Sequence, residues 1–318
     1  MLIDCHNHIG IELGAYLRHE FPYAQHLSSL VADGAAHGIE KFVVFPMVTN
    51  LSLNQEKLRE GEVTTEGGVD EVPYEFENRR MLHEINDLFP ENGRKTIPIA
   101  MLDPARAQQK QAAALRKLRE DYKFYGLKIQ STMLQSPITS LREEGRVFLE
   151  LAEEWDLPFL IHSSVLPSDA WAQASDIIDI AEATPNVRFC VAHSCRFDRT
   201  QLDRIAELPN TWFDCSAHGI HCDLAVQNSP VVAPIERRIE ADYHDHAGVL
   251  RVLAETYPDK LMWGSDSPYY SFVAMFQNEN LSLLSSYQKE TEYLHALPPE
   301  LKQRAAYTNI LNWLGQDL

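Results

Sequence analysis

His6-Asn7-His8 places two imidazoles one residue apart near the start of the chain. The spacing alone says little, because the chain holds 13 histidines and a second such pair, His244-Asp245-His246. Position separates them. His6 and His8 end an apolar run of strand type, where alternation turns side chains i and i+2 to the same side, so both rings can chelate one cation. His244 and His246 open a stretch of helical pattern, where i and i+2 diverge by about 200°. Other apolar runs end alike: 158–161 in His162, 189–192 in His193, 261–265 in Asp266, and Tyr125-Gly126-Leu127 in Lys128. A lone histidine after a strand reads as a hydrogen-bonded core residue, whereas a buried unpaired Lys or Asp is costly and asks for a partner or a metal. Neutral imidazoles plus a carboxylate gathered at one place suit Zn²⁺ ahead of Fe, Mn or Ni.

Whether these groups gather depends on the elements that carry them. Eight strands are expected, over 2–6, 41–46, 96–101, 126–130, 158–162, 187–193, 211–215 and 260–265, several of them near-continuous apolar runs of the kind covered on both faces. Helical patterns lie between them. The clearest is 140–155, where Ser140 and Glu143 read as a capping box and Val147, Phe148, Leu151 and Trp155 recur at helical spacing. Ala112, Leu115 and Leu118 form a similar stripe, and 301–314 supplies a closing helix. Eight strand–helix units predict an α/β fold, a (β/α)8 TIM barrel formed as one domain over residues 1–318. In such a barrel the C-terminal strand ends converge on one mouth, so four His, one Lys and one Asp would share a small volume. Connections 47–74 and 216–243 exceed the usual two to six residues and leave C-terminal strand ends, which suits lids, pocket walls or an oligomer contact. Arg196, three residues after His193, could bind a substrate carboxylate bidentately or form a surface ion pair. His218, His221 and Tyr269 are further candidates for substrate contact.

The ordered set resembles the amidohydrolase superfamily of metal-dependent barrels. It runs from His6 and His8 after strand one, through Lys128 on strand four, His162 on strand five and His193 on strand six, to Asp266 on strand eight. Gly126-Leu127-Lys128-Ile129, the 157–162 run, Gly264-Ser265-Asp266-Ser267-Pro268 and Asn309 before Trp313-Leu314-Gly315 are similar to the branch called amidohydrolase-related or amidohydrolase-2. The resemblance implies that His6, His8 and Asp266 hold the more buried metal. In binuclear members His162 and His193 take a second ion bridged by a carboxylated lysine at the Lys128 position. In mononuclear members His162 joins the first ion, and His193 is a free acid/base. It also implies one or two divalent metals per chain, with Zn²⁺ foremost, and a catalytic Asp266 assisted by His193. The reaction so implied is attack of metal-activated water on a carboxylic ester, lactone or amide. The alternatives are a non-oxidative decarboxylase of an aromatic or unsaturated carboxylic acid and a non-catalytic metal-bearing scaffold.

Composition narrows the partners. The 318 residues carry 28 Lys+Arg against 46 Asp+Glu, a net charge of −18 that argues against nucleic acid. No apolar run approaches the ~18 residues that span a bilayer. The first residues lead into polar positions rather than a secretory leader, so a cytoplasmic protein is expected. Five cysteines form no CxxC pair and suggest no disulfide framework. A small-molecule substrate is the expected partner, with homo-oligomerisation open.

Overall fold

A computed structural model describes residues 1–48, 51–60, 62–69, 72–276 and 279–316. Its centre is a ring of parallel strands: β1 (Ile3–Ile11), β2 (Lys41–Pro46), β3 (Thr96–Pro98 and, after Ile99, Ala100–Leu102), β4 (Leu127–Ile129), β5 (Phe159–Ile161), β6 (Phe189–Val191), β7 (Thr211–Asp214) and β8 (Leu261–Met262). Each pairs in parallel with the next, through registers such as Ile3↔Lys41, Phe42↔Thr96, Ala100↔Leu127 and Leu261↔Phe213. At the middle of β3 the Ile99 amide bonds the Val44 carbonyl while the next amide, Ala100, bonds Gly126, so the two pieces act as one strand. The ring closes between β8 and β1. Cys5 N–H donates to the Trp263 carbonyl at 3.2 Å, Asp266 N–H to His6 at 3.0 Å, and His8 N–H to Ser267 at 2.8 Å. Helices Leu27–Ala36, Glu75–His83, Gln108–Asp121, Arg146–Trp155, Ala174–Ala183, Arg199–Glu207 and His246–Thr256 fill the successive crossovers, giving the (β/α)8 barrel that the alternating pattern implied.

The two faces of the strands sort into two apolar layers. Phe42, Val44, Leu127, Phe159, Phe189 and Phe213 pack outward against helix residues such as Leu30, Leu115, Leu151 and Leu250. Ile3, Val43, Phe45, Ile97, Ile99, Leu160, Cys190 and Met262 fill the interior with Ile310, Trp313 and Leu314 of the closing helix Asn309–Leu314. Trp313 plugs the floor, its indole N–H donating to the Phe159 carbonyl at 3.2 Å.

Three elements differ from the sequence reading. Strand one does not stop at His6 but continues to Ile11, and its pairing with β2 shifts register between Asp4 and Asn7. Plain alternation from the interior residues Ile3 and Cys5 would turn Asn7 inward and the histidines outward. The irregularity inserts one residue, so that Cys5 and His6 both face the interior and His8 follows in phase. The 140–155 helix begins only at Arg146; Ser140 lies in the 3-10 turn Ile138–Arg142, where its carbonyl accepts the Glu143 and Gly145 amides. After β8 comes an antiparallel hairpin, Phe272–Phe276 with Glu279–Leu283, where no strands were expected. Among the described residues all five cysteines are free and buried, and no helix is long and apolar enough to cross a membrane.

Candidate metal and catalytic centre

The C-terminal ends of the strands bring most of the singled-out residues together. His6 Nδ1 bonds Asp214 Oδ2 at 2.9 Å, and His8 Nδ1 bonds the Pro46 carbonyl at 3.3 Å. With an acceptor at each Nδ1, the proton of each neutral ring sits there and the Nε2 lone pair is free. Both lone pairs face Asp266 Oδ1, at 3.2 Å from His6 and 3.4 Å from His8. Asp266 reaches this point from a left-handed backbone, φ 63°, in the segment that follows β8. Its Oδ1 is buried and has no hydrogen-bond partner among the described residues. His6, His8 and Asp266 offer ligand atoms all within 4.8 Å of one another. Lys128 Nζ meets the His6 nitrogen from one side but leaves Asp266 Oδ1 unbonded among the described residues, so the three converging lone-pair carriers fit a divalent ion. The carboxylate behind His6 is the support that fixes a ligating imidazole.

Burial sets the titration of this centre. It pushes the Asp266 carboxyl up to about 6, against the pull of His6 and Lys128. It drives His6 down and His8 well down, with the Lys128 charge adding to both, so both rings are neutral, the form in which an imidazole can bind a metal. Burial also opposes ionisation of Asp214, yet His6 and the bonds from Ser216 and the His193 amide hold its carboxyl well below the usual range. Lys128 is fully enclosed on β4, with Nζ 3.2 Å from His6 Nε2 and 4.7 Å over the Phe45 ring. Desolvation lowers it to about 8, with Asp214 and Asp266 pulling the other way.

A second group lies beside the first. His193 Nδ1 faces Ser216, at 2.8 Å from Oγ and 3.2 Å from the carbonyl, and stands 3.8 Å from Asp266 Oδ2. Its Nε2 is 2.9 Å from His162 Nδ1, and Arg196 Nη2 is 3.4 Å from His162 Nε2. One assignment satisfies the chain: Arg196 donates to His162, His162 Nδ1–H to His193, and His193 Nδ1–H to Ser216. His221 Nε2 meets Arg196 Nη1, and its ring lies 5.3 Å from that of His193. His162, expected as a ligand, is thus engaged by His193 and Arg196, and the converging ligand set among the described residues contains His6, His8 and Asp266. Arg196 is buried and forms no ion pair among the described residues. His218 is not brought to the mouth: its Nε2 donates to the His246 carbonyl at 2.8 Å and its ring packs on Phe197 and Tyr293. Tyr269 lies edge-on to His8 at 4.8 Å, and its hydroxyl donates to Glu12.

The turn that delivers His193 and Arg196 is unusual. His193, Ser194, Cys195, Arg196 and Phe197 all have left-handed φ, from 46° to 66°, without a glycine. At roughly 1–2 kcal/mol per residue this conformation must be held by its surroundings. Ala233 N–H donates to the Arg196 carbonyl at 3.0 Å and Ile239 N–H to Phe197 at 3.2 Å, so the long connection after β7 straps the turn in place.

Sequence reasoning missed Asp214, Ser216 and Glu12. Asp214 carried a usable signal, a carboxylate inside the otherwise apolar run Trp212-Phe213-Asp214-Cys215. Its Oδ1 accepts from the His193 and Ser216 amides at 3.0 and 2.9 Å, and its Oδ2 from His6 and, at 3.5 Å, from the Cys190 thiol. Glu12 gave no such signal, since it lies beyond the expected end of strand one.

Residues 3–316 match the family model described as amidohydrolase, of the amidohydrolase-2 type. No curated protein sequence matches the chain. Among solved structures, an amidohydrolase from Burkholderia multivorans aligns over 100% of both chains at 11% identity, with TM-score 0.63; another crystal form of it contains zinc. The 5-carboxyvanillate decarboxylase LigW from Sphingomonas paucimobilis aligns over 100% of both chains at 11% identity and TM-score 0.56. A dihydroorotase from Campylobacter jejuni aligns over 100% of this chain and 84% of its own at 15% identity and TM-score 0.55. At these identities the likeness is one of fold, whereas the family match spans nearly the whole chain. The chain belongs to the amidohydrolase-2 family and is an enzyme of that family, a hydrolase or a decarboxylase.

Proposed function

We propose that the protein is a metal-dependent hydrolase that attacks a carboxylic ester, lactone or amide of a small molecule with water. The observation that carries this reading is the split role open to Asp266, whose Oδ1 lies unpartnered among the His6 and His8 nitrogens while Oδ2 faces His193. His6, His8 and Asp266 would hold the ion, and two imidazoles with a carboxylate suit zinc. When bound, such an ion polarises a substrate oxygen and acidifies a water molecule. Asp266 is placed to accept the proton that water loses on attack. His193, whose Nδ1–H stands 3.8 Å from Asp266 Oδ2, can give that proton to the leaving group and take its replacement from Asp266. Asp214 keeps the His6 proton on Nδ1, and Ser216 likewise holds the Nδ1 proton of His193, whose Nε2 accepts from His162.

The test is turnover of a panel of lactones, esters, amides and aromatic acids by zinc-loaded protein in ¹⁸O-labelled water. Incorporation of one labelled oxygen into a product carboxylate is the expected result. Release of CO2 without label in the remaining product would replace hydrolysis with decarboxylation.

A further inference from the structure

Arg196 is a buried cation with no carboxylate at ion-pair distance among the described residues. Three of its five N–H groups are used: Nε donates to the Ser163 carbonyl at 3.2 Å, Nη1 meets His221 Nε2, and Nη2 meets His162 Nε2 at 3.4 Å. Each of these partners is an imidazole ring or a backbone carbonyl, and none is a carboxylate. The nearby imidazoles bear the consequence, since burial and then the Arg196 charge hold His162, His193 and His221 well below their ordinary range. A desolvated guanidinium that feels Asp266, Asp169 and Asp214 only from beyond ion-pair distance is costly to keep, and the left-handed turn that carries it is costly as well. The chain maintains both within two hydrogen-bonded links of the ring beside Asp266.

We propose that Arg196, flanked by His162 and His221, is the subsite for a carboxylate group of the substrate, distinct from the carbonyl that is attacked. The two unused N–H groups, one on each terminal nitrogen, match a planar carboxylate. His162, half-buried where its neighbours are buried, marks the side from which the ligand enters. The substrate class is thus an ester, lactone or amide that also carries a free carboxylate. The inference rests on the proposed function only in taking the occupant to be the substrate.

Binding rather than turnover tests it. Benzoate, benzamide and inorganic phosphate are titrated calorimetrically into zinc-loaded wild type, Arg196→Met and Arg196→Lys. Wild type is expected to prefer benzoate over benzamide by at least about tenfold, since a charge-assisted pair contributes that much. Arg196→Met is expected to abolish the preference. Arg196→Lys keeps a cation without the fork and is expected to lose most of it, which decides the matter even if the Met variant does not fold. Equal binding of benzoate and benzamide in wild type, or a preference unchanged in both variants, overturns the proposal. Arg196-dependent binding of phosphate tighter than benzoate overturns the carboxylate assignment in favour of a phosphate ester. A hydrolase of neutral substrates would incorporate ¹⁸O yet show no benzoate preference, so failure here is distinguishable from failure of the hydrolytic reading.

Discussion

Replacing Asp214 with asparagine exchanges one oxygen for an amide nitrogen and asks which way the new side chain turns. In the native site Oδ1 accepts the His193 and Ser216 amides and the Ser216 hydroxyl, whereas Oδ2 accepts His6 Nδ1–H and the weaker Cys190 thiol. Turning the amide nitrogen toward Oδ1 would confront two fixed backbone donors with another donor, at about 1–3 kcal/mol for each buried group left unsatisfied. Turning it toward Oδ2 confronts the weak Cys190 thiol, which can rotate away, and His6, which can answer by moving its proton to Nε2. The second arrangement wins, and it protonates the nitrogen that faces Asp266 Oδ1 at 3.2 Å. His6 is then lost as a ligand unless it pays to revert. Metal affinity should fall by about 10- to 100-fold, equivalent to about 1.4–2.7 kcal/mol. The assay is competition between protein and a chelator of known affinity for zinc, with circular dichroism to establish that the variant is folded. An affinity within about threefold of wild type in a folded Asp214→Asn protein would refute the tautomer argument.

Asp266→Asn at saturating metal should lower kcat by about 10²- to 10⁴-fold, the range for removal of a general base, and an undiminished kcat in the folded variant contradicts that role. Glu290, buried with no partner for its Oε2 among the described residues and pushed up to about 8, holds a proton in the folded chain that the unfolded chain loses near 4.5. Its contribution is therefore full below about pH 4.5 and fades as pH rises to about 8, so Glu290→Gln should gain on wild type by up to about 1.4 kcal/mol per pH unit between those limits. Urea denaturation of both proteins at pH 5 and pH 8 checks this, and a stability difference independent of pH would contradict it. Trp313→Ala should destabilise the barrel by about 3–5 kcal/mol by emptying its floor, read from the same denaturation curves, and a loss below about 1 kcal/mol would show that Trp313 is not the plug.

The barrel was legible because its strands are short apolar runs in a steady alternation with amphipathic segments, and β2 was read to the residue at Lys41–Pro46. The candidate ligand cluster was legible because barrel topology alone brings strand ends together: His6, His8 and Asp266 converge although 258 positions separate the last two in sequence. What the pattern hid was phase. The shift between Asp4 and Asn7 is a backbone event with no glycine or proline to announce it, yet it turns His6 and His8 inward. The left-handed run from His193 to Phe197 was hidden for the same reason, since only tertiary bonds from Ala233 and Ile239 make it tenable. Asp214 was missed because the expected strand ran one residue further, to Cys215, and because it acts through another residue, His6. His218 shows the opposite error: proximity to the mouth in sequence, followed by a helix that turns it toward His246.

The claim on which the rest depends is that one divalent ion sits on His6, His8 and Asp266. Anomalous scattering from zinc-loaded crystals, collected on both sides of the zinc edge, tests it most directly. The account predicts a peak bonded to His6 Nε2, His8 Nε2 and Asp266 Oδ1, about 2.0–2.2 Å from each. A zinc peak elsewhere in the chain, or none at those three atoms in a loaded and active crystal, would contradict it.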